Sequence, residues 1–170
     1  LGWGQWPEDS QSKYELDGAV AQHGKQSLRL TAVRASDRAF AVAPLVALEP
    51  KTVYRVSVYV RRDTSVPDSA IGVTINWRDP QSGAIKQRVT PALVKLERNG
   101  EWVRRSGLIV TPDDGTRAQL LLSVEHAVGR VWFDNVTLEP LGPPSELKAD
   151  VWTNMTLGVQ IGAGPLSRFV

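Results

Sequence analysis

The run from Arg130 to Pro140 changes phase in mid-strand, and that change restricts what the chain can build. Its β-branched and aromatic content is that of a strand. In an unbroken strand successive side chains alternate, so Val131 and Phe133 would share one face while Val136 and Leu138 lay on the other. One extra residue at Asp134-Asn135, a β-bulge, restores parity and keeps both apolar pairs on one side. A carboxylate and an amide then sit at a kink in an apolar strand. An acid in that position must be paired, hydrogen-bonded or bound to a cation. Everything before it is expected to form the sandwich that this strand closes.

The upstream pattern supports that expectation. Leu28, Leu30 and Ala32 alternate with Arg29 and Thr31, and Ala39 to Ala43 forms a second short strand. From Thr52 to Arg61, Tyr54, Val56, Val58 and Val60 face inward while Arg55, Ser57, Tyr59 and Arg61 face out. Ile71, Val73 and Ile75 alternate with Gly72, Thr74 and Asn76, and Trp77 is expected to end that strand. Ile85 to Leu96 is weaker and interrupted by Pro91, and Trp102 to Val110 is a strand of uncertain phase. Ala118, Leu120, Leu122 and Val124 alternate with Gln119, Leu121, Ser123 and Glu125. Turn residues recur at Asp79 to Gly83, Asn99-Gly100 and Pro112 to Gly115. Short alternating strands punctuated in this way, with no amphipathic helix, predict an all-β, two-sheet antiparallel sandwich.

A chain of 170 residues with 42% apolar content can bury a full core as one domain. A formal charge of +2 argues against nucleic acid as a partner, and no apolar run is long enough for a membrane span. The lack of cysteine removes disulfides and thiolate chemistry, and two histidines offer little for zinc. With no leader ahead of Leu1, a processed form or a fragment is expected. The sandwich is expected over residues 1–140, a linker over 141–150 and, over 151–170, a tail strand that is donated to a neighbour or starts another domain.

Several segments in order carry a resemblance: Gly24 to Leu30, Tyr54 to Val60, Glu101-Trp102, Pro112 to Gly115 and Val131 to Val136. In these the chain resembles the jelly-roll carbohydrate-binding modules of the family four and nine type, which are attached to glycan-degrading enzymes. The resemblance implies a non-catalytic module of a secreted or cell-surface protein that binds polysaccharide. It also implies a structural calcium held by Asp134 with carbonyls of the Gly24-Lys25 turn. The alternative is a metal-free Asp134 that accepts backbone hydrogen bonds at the bulge. The opening strand usual in such modules has no counterpart ahead of Gly2-Trp3, so an open sandwich edge is expected.

Sugar recognition calls for an aromatic face and planar polar side chains. If the outward residues of the Tyr54, Ile71 and Ala118 strands lie in one sheet, the candidates are Tyr59, Arg61, Asn76, Trp77, Gln119 and Glu125, with Trp3, Trp6 and Tyr14 as second choices. No pair of acids is fixed at the separation a glycosidase needs, so no catalysis is expected. A second possibility is a filament subunit. The tail strand Thr156 to Gly164 would be donated to the open edge of a neighbouring copy.

Overall fold

Turns at glycine, proline, asparagine and aspartate divide the chain, and the alternation inside each segment decides which side faces in. A computed structural model describes residues 2–7, 11–91, 99–114 and 117–147. Among these are ten strands. They are β1 (Gly4–Trp6), β2 (Lys13–Asp17), β3 (Ser27–Ala32), β4 (Arg38–Ala47) and β5 (Val53–Arg62). They continue with β6 (Ile71–Arg78), β7 (Ile85–Val89), β8 (Val103–Val110), β9 (Arg117–Glu125) and β10 (Gly129–Gly142). One sheet has the order β1-β4-β9-β6-β7 and the other β2-β3-β10-β5-β8, with every pairing antiparallel. The architecture is the two-sheet sandwich that the alternation predicts.

The core lies between the sheets. Val56, Val58 and Val60 of β5, Leu30 of β3 and Phe133 of β10 meet Ile75 and Trp77 of β6 and Leu122 and Val124 of β9. The uncertain phase of β8 is settled by its register: Arg105 stands opposite Val58 and Ile109 opposite Tyr54, so both are on the core side. Arg105 is buried and faces Asp68 at 3.3 Å. Burial pushes its guanidinium pKa down, and the Asp68 charge opposes that shift.

The bulge in β10 is present where the apolar pattern requires it. Asp134 pairs with Tyr59 and Thr137 with Ser57, so β10 advances three residues while β5 advances two. Asn135 takes φ +46°, a left-handed conformation that asparagine tolerates better than a β-branched residue does. Phe133, Val136 and Leu138 therefore all pack on the core side. A second bulge falls in β4 between Val42 and Leu45, around Pro44. It carries β4 on to Ala47, past the expected end at Ala43. Proline is tolerated there because β1 stops opposite Val42 and asks for no N–H beyond it.

The outer side of the second sheet is tied together by Asp17. One carboxylate oxygen accepts Trp132 Nε1–H at 2.9 Å and Arg29 Nη1–H at 2.8 Å, and the other accepts the Ala19 amide at 2.9 Å. Trp132 lies flat and buried beneath Arg61 and Arg130, whose guanidinium carbons are 5.6 and 5.5 Å from its ring centre. The Trp132 N–H contributes most to holding the Asp17 carboxyl below its ordinary 3.8. The Ala19 amide and the Arg29 charge add to this, and burial opposes it.

β10 ends at Gly142, and a 3₁₀ turn follows over Pro144–Glu146. The expected tail over 151–170, including Thr156 to Gly164 and its donation to a neighbour, lies outside the described residues. Among the described residues no helix is long and apolar enough to cross a membrane.

Two outcomes follow from these contacts. Asn135→Gly keeps the bulge and leaves stability within about 0.5 kcal/mol, while Asn135→Val forces a β-branched residue to positive φ and costs about 1–3 kcal/mol in urea denaturation. Because the Asp17 pKa is lowered on folding, its stabilisation is complete above about pH 4 and lost as pH falls through the lower folded value. Asp17→Asn should melt below the wild type at pH 7, and the gap should close toward pH 2. A gap that stays constant over that range would contradict the assignment.

Candidate functional site

The outward side chains of the first sheet form a groove of about 410 Å³ across β1, β4, β9, β6 and β7. Strand parity builds it. Ile75 and Trp77 point into the core, so Asn76 and Arg78 point out, and the pairings Asn76↔Gln119 and Asn76↔Arg88 bring three polar side chains abreast. Trp6 closes the β1 end. It is 54% exposed and rests on Phe40, with ring centroids 5.2 Å apart and planes inclined at 59°. Leu121 forms part of the floor and Ile85 part of the far rim.

The polar groups are held by one another. Arg78 Nε–H donates to Gln119 Oε1 at 2.6 Å, and Arg78 Nη1–H to the Gly83 carbonyl at 2.7 Å. Arg88 Nε–H donates to Asn76 Oδ1 at 3.0 Å. Asn76 is buried, which fixes the position of its amide. The groove thus offers an aromatic face at one end and a cluster of planar donors at the other.

Of the six expected sugar-facing residues, the structure brings two together here, Asn76 and Gln119. Glu125 is on the same face, but six residues further along β9, about 20 Å away at 3.4 Å per residue. It is engaged by Arg38 at 3.5 Å and by Ser123. Trp77 corrects the expectation placed on it. β6 runs on to Arg78, so Trp77 lies inside the strand, and alternation sends it into the core at 1% exposure. Adjacent residues in a regular strand cannot both face the groove. The premise that all three strands share a sheet is also corrected. Tyr59 and Arg61 are on β5 in the second sheet, Tyr59 opposite Asp134 and Arg61 over Trp132.

Arg78 and Arg88 are the charged groove residues that the sequence did not single out. Arg78 has the same parity as Asn76, and that was the available signal. Arg88 sits in the weakest alternating stretch, where nothing marks a face. Among the second-choice aromatics, Trp6 faces the groove. Trp3 packs against the core, and its carbonyl accepts Tyr14 Oη–H at 2.8 Å.

A second hollow, of about 430 Å³, lies at one end of the sandwich and brings Asp134, Gly24 and Lys25 together. It is a slightly larger space than the groove, but most of its exposed lining is apolar and includes core residues such as Leu28 and Phe133. Asp134 Oδ2 accepts the amides of Gln22 and His23 at 2.8 and 2.9 Å, and Oδ1 accepts the Asn135 amide at 2.7 Å. Three N–H groups thus direct their positive ends at this carboxylate. Among the described residues no cluster of three acids or histidines stands ready to hold an ion. Calcium takes six to eight oxygens, and Asp134 is the one carboxylate among the described residues lining this hollow, so the other ligands of an ion here would have to be backbone carbonyls and neutral side-chain oxygens. The backbone hydrogen bonds named for the metal-free alternative are present at Asp134.

No protein-family model matches the chain, and no curated protein does. Solved structures do resemble it. The enzymatically active domain of bacteriophage CBA120 tailspike protein 4 superposes with a TM-score of 0.65 at 14% identity, over 82% of this chain and 19% of that one. The CBM22-1 xylan-binding domain of Paenibacillus barcinonensis Xyn10C gives 0.62 at 18% identity, over 83% of this chain and 86% of that one. A family 16 carbohydrate-binding module gives 0.56 at 18% identity, over 80% and 89%. The chain therefore spans about a fifth of the tailspike domain but most of either binding module. At such identities the likeness is one of fold.

The bonding around Asp134 yields a direct test. Melting temperature should be the same in EDTA and in millimolar calcium, and Asp134→Ala should lower stability by about 1 kcal/mol by removing the bonds that tie the Gln22 and His23 amides to β10. A melting temperature that rises several degrees with calcium would establish the metal site instead.

Proposed function

We propose that this chain is a non-catalytic carbohydrate-binding module, and that polysaccharide lies in the groove of the first sheet. The observation that carries the proposal is the convergence of an exposed tryptophan, Trp6, with the amides of Asn76 and Gln119 and the guanidinium groups of Arg78 and Arg88. A sugar ring presents C–H groups on its face and hydroxyls at its rim. Trp6 suits the first, and the planar donors suit the second. The fold shared with a xylan-binding domain and a family 16 module supports the same reading.

Binding rather than turnover is favoured by the composition of the groove. No acid is among its described lining residues, so nothing there can serve as a general acid or a nucleophile for glycoside cleavage. A module of this kind would work outside the cell or at its surface, where it would hold an attached partner on an insoluble or extended glycan.

Affinity electrophoresis and calorimetry against xylans, β-glucans and mannans test the proposal. Trp6→Ala should weaken binding at least about tenfold with little change in melting temperature, since Trp6 lies on the surface. Trp77→Ala should instead cost about 3–5 kcal/mol of stability by emptying part of the core. Failure of the folded wild type to bind any polysaccharide would overturn the proposal.

A further inference from the structure

We infer that the groove selects a uronic-acid-bearing polysaccharide, with the sugar carboxylate held by Arg78 and Arg88. This rests on the reading of the groove as a glycan site and names the ligand class.

The inference comes from an imbalance of hydrogen-bond character. A guanidinium group can only donate, so the atom facing Arg78 Nε must be the carbonyl oxygen of Gln119, and the atom facing Arg88 Nε must be that of Asn76. This chemistry fixes the orientation of both amides. Each carbonyl oxygen is turned toward an arginine and engaged by it, and the other end of each amide is a donor. The remaining N–H groups of Arg78 and Arg88 are donors as well. In the β6–β9–β7 part of the groove donors therefore outnumber acceptors. A neutral sugar hydroxyl both donates and accepts, and a site for it mixes the two kinds of partner. A carboxylate only accepts, with two oxygens that match the planar N–H pair of a guanidinium.

Charge points the same way. Two arginines line the groove and no described acid does. The acids closest in the strand order are engaged elsewhere. Asp79 accepts the amides of Gln81 and Ser82 and shares Lys86 with Asp114, at 3.1 and 2.9 Å. Glu125 pairs with Arg38 at the far end of β9. The positive charge of Arg78 and Arg88 is thus left for a ligand to neutralise, although the chain as a whole carries only +2.

Spacing then divides the groove. From β1 to β7 is four strand separations, about 19 Å. Trp6 stacks on a ring at one side, and the arginines take a carboxylate at the other. A single sugar does not span that distance, so the ligand is a chain whose acidic unit lies some residues from the stacked one.

The test uses glucuronoxylan, polygalacturonate and alginate, each beside its carboxyl-reduced form, which keeps the backbone and removes the charge. Dextran sulfate serves as a sulfate control. At least one acidic polymer should bind tenfold or more tighter than its reduced form, and that preference should shrink with added salt. The Arg78→Gln/Arg88→Gln variant should lose at least about tenfold more affinity for the acidic polymer than for its reduced form, so that the preference disappears. Should the double variant melt early, Arg88→Gln alone, at an exposed position of β7, gives the same readout. Arg104→Gln, on the outer side of the other sheet, should keep the preference. Equal binding of every acidic polymer and its reduced form would overturn this inference and leave the carbohydrate-binding proposal standing. So would an unchanged preference in the Arg78/Arg88 variant. Tighter binding to dextran sulfate than to any uronate polymer would overturn the carboxylate assignment. Binding to none of the polymers, reduced or not, would overturn both.

Discussion

The contact between Asp134 and the amides of Gln22 and His23 is the constraint on which the sandwich depends. β10 is the middle strand of its sheet, hydrogen-bonded to β3 on one side and β5 on the other. It must present Val131 and Phe133, and then Val136 and Leu138, to one core. It can do so only if one residue is inserted, and an inserted residue leaves ladder groups without their regular partners. Asp134 meets that need at the kink. Its carboxylate takes the Asn135 amide inside the bulge and the two amides of the loop before β3. The acid in the apolar strand is thereby hydrogen-bonded through both oxygens, and the loop and the strand fix each other's position.

The same economy of contacts governs the rest of the second sheet. Asp17 joins β2, β3 and β10 through Arg29 and the Trp132 indole, and two arginines cover the flat of that ring. An aromatic that faces outward is thus made unavailable for stacking. The outer side of the first sheet has no such cover over Trp6, so the two faces of the sandwich differ in what they can do even though their strands have similar composition.

Much of the fold was legible because alternation is a local signal. Tyr54 to Val60 and Ala118 to Val124 read as strands with a fixed inner side, and the bulge could be placed to the residue from a change of parity. Sheet membership was not legible in the same way. The chain passes from one sheet to the other between β3 and β4, between β4 and β5 and again between β5 and β6, and nothing within a strand records which layer it joins. For this reason Tyr59 and Asn76, both outward, ended on opposite faces of the molecule. Trp77 misled for another reason: a tryptophan at the apparent end of a strand looks exposed, but Arg78 extends the strand and alternation buries the ring. The groove's arginines were hidden because a charged residue on an outward position ordinarily means only solvent. Pairing across β6, β9 and β7 gives them a shared purpose, and pairing is a long-range property.

The groove is assembled unevenly from constrained and unconstrained parts. Asn76 and Leu121 are anchored in interior strands, where a substitution disturbs neighbours on both sides. Arg88 belongs to β7, a five-residue strand at the margin of the described sheet with four of its residues exposed. Lineages carrying this sandwich can therefore exchange the residues of that short border strand at little expense to foldability. The ligand preference of the groove is free to diverge faster than the scaffold that supports it.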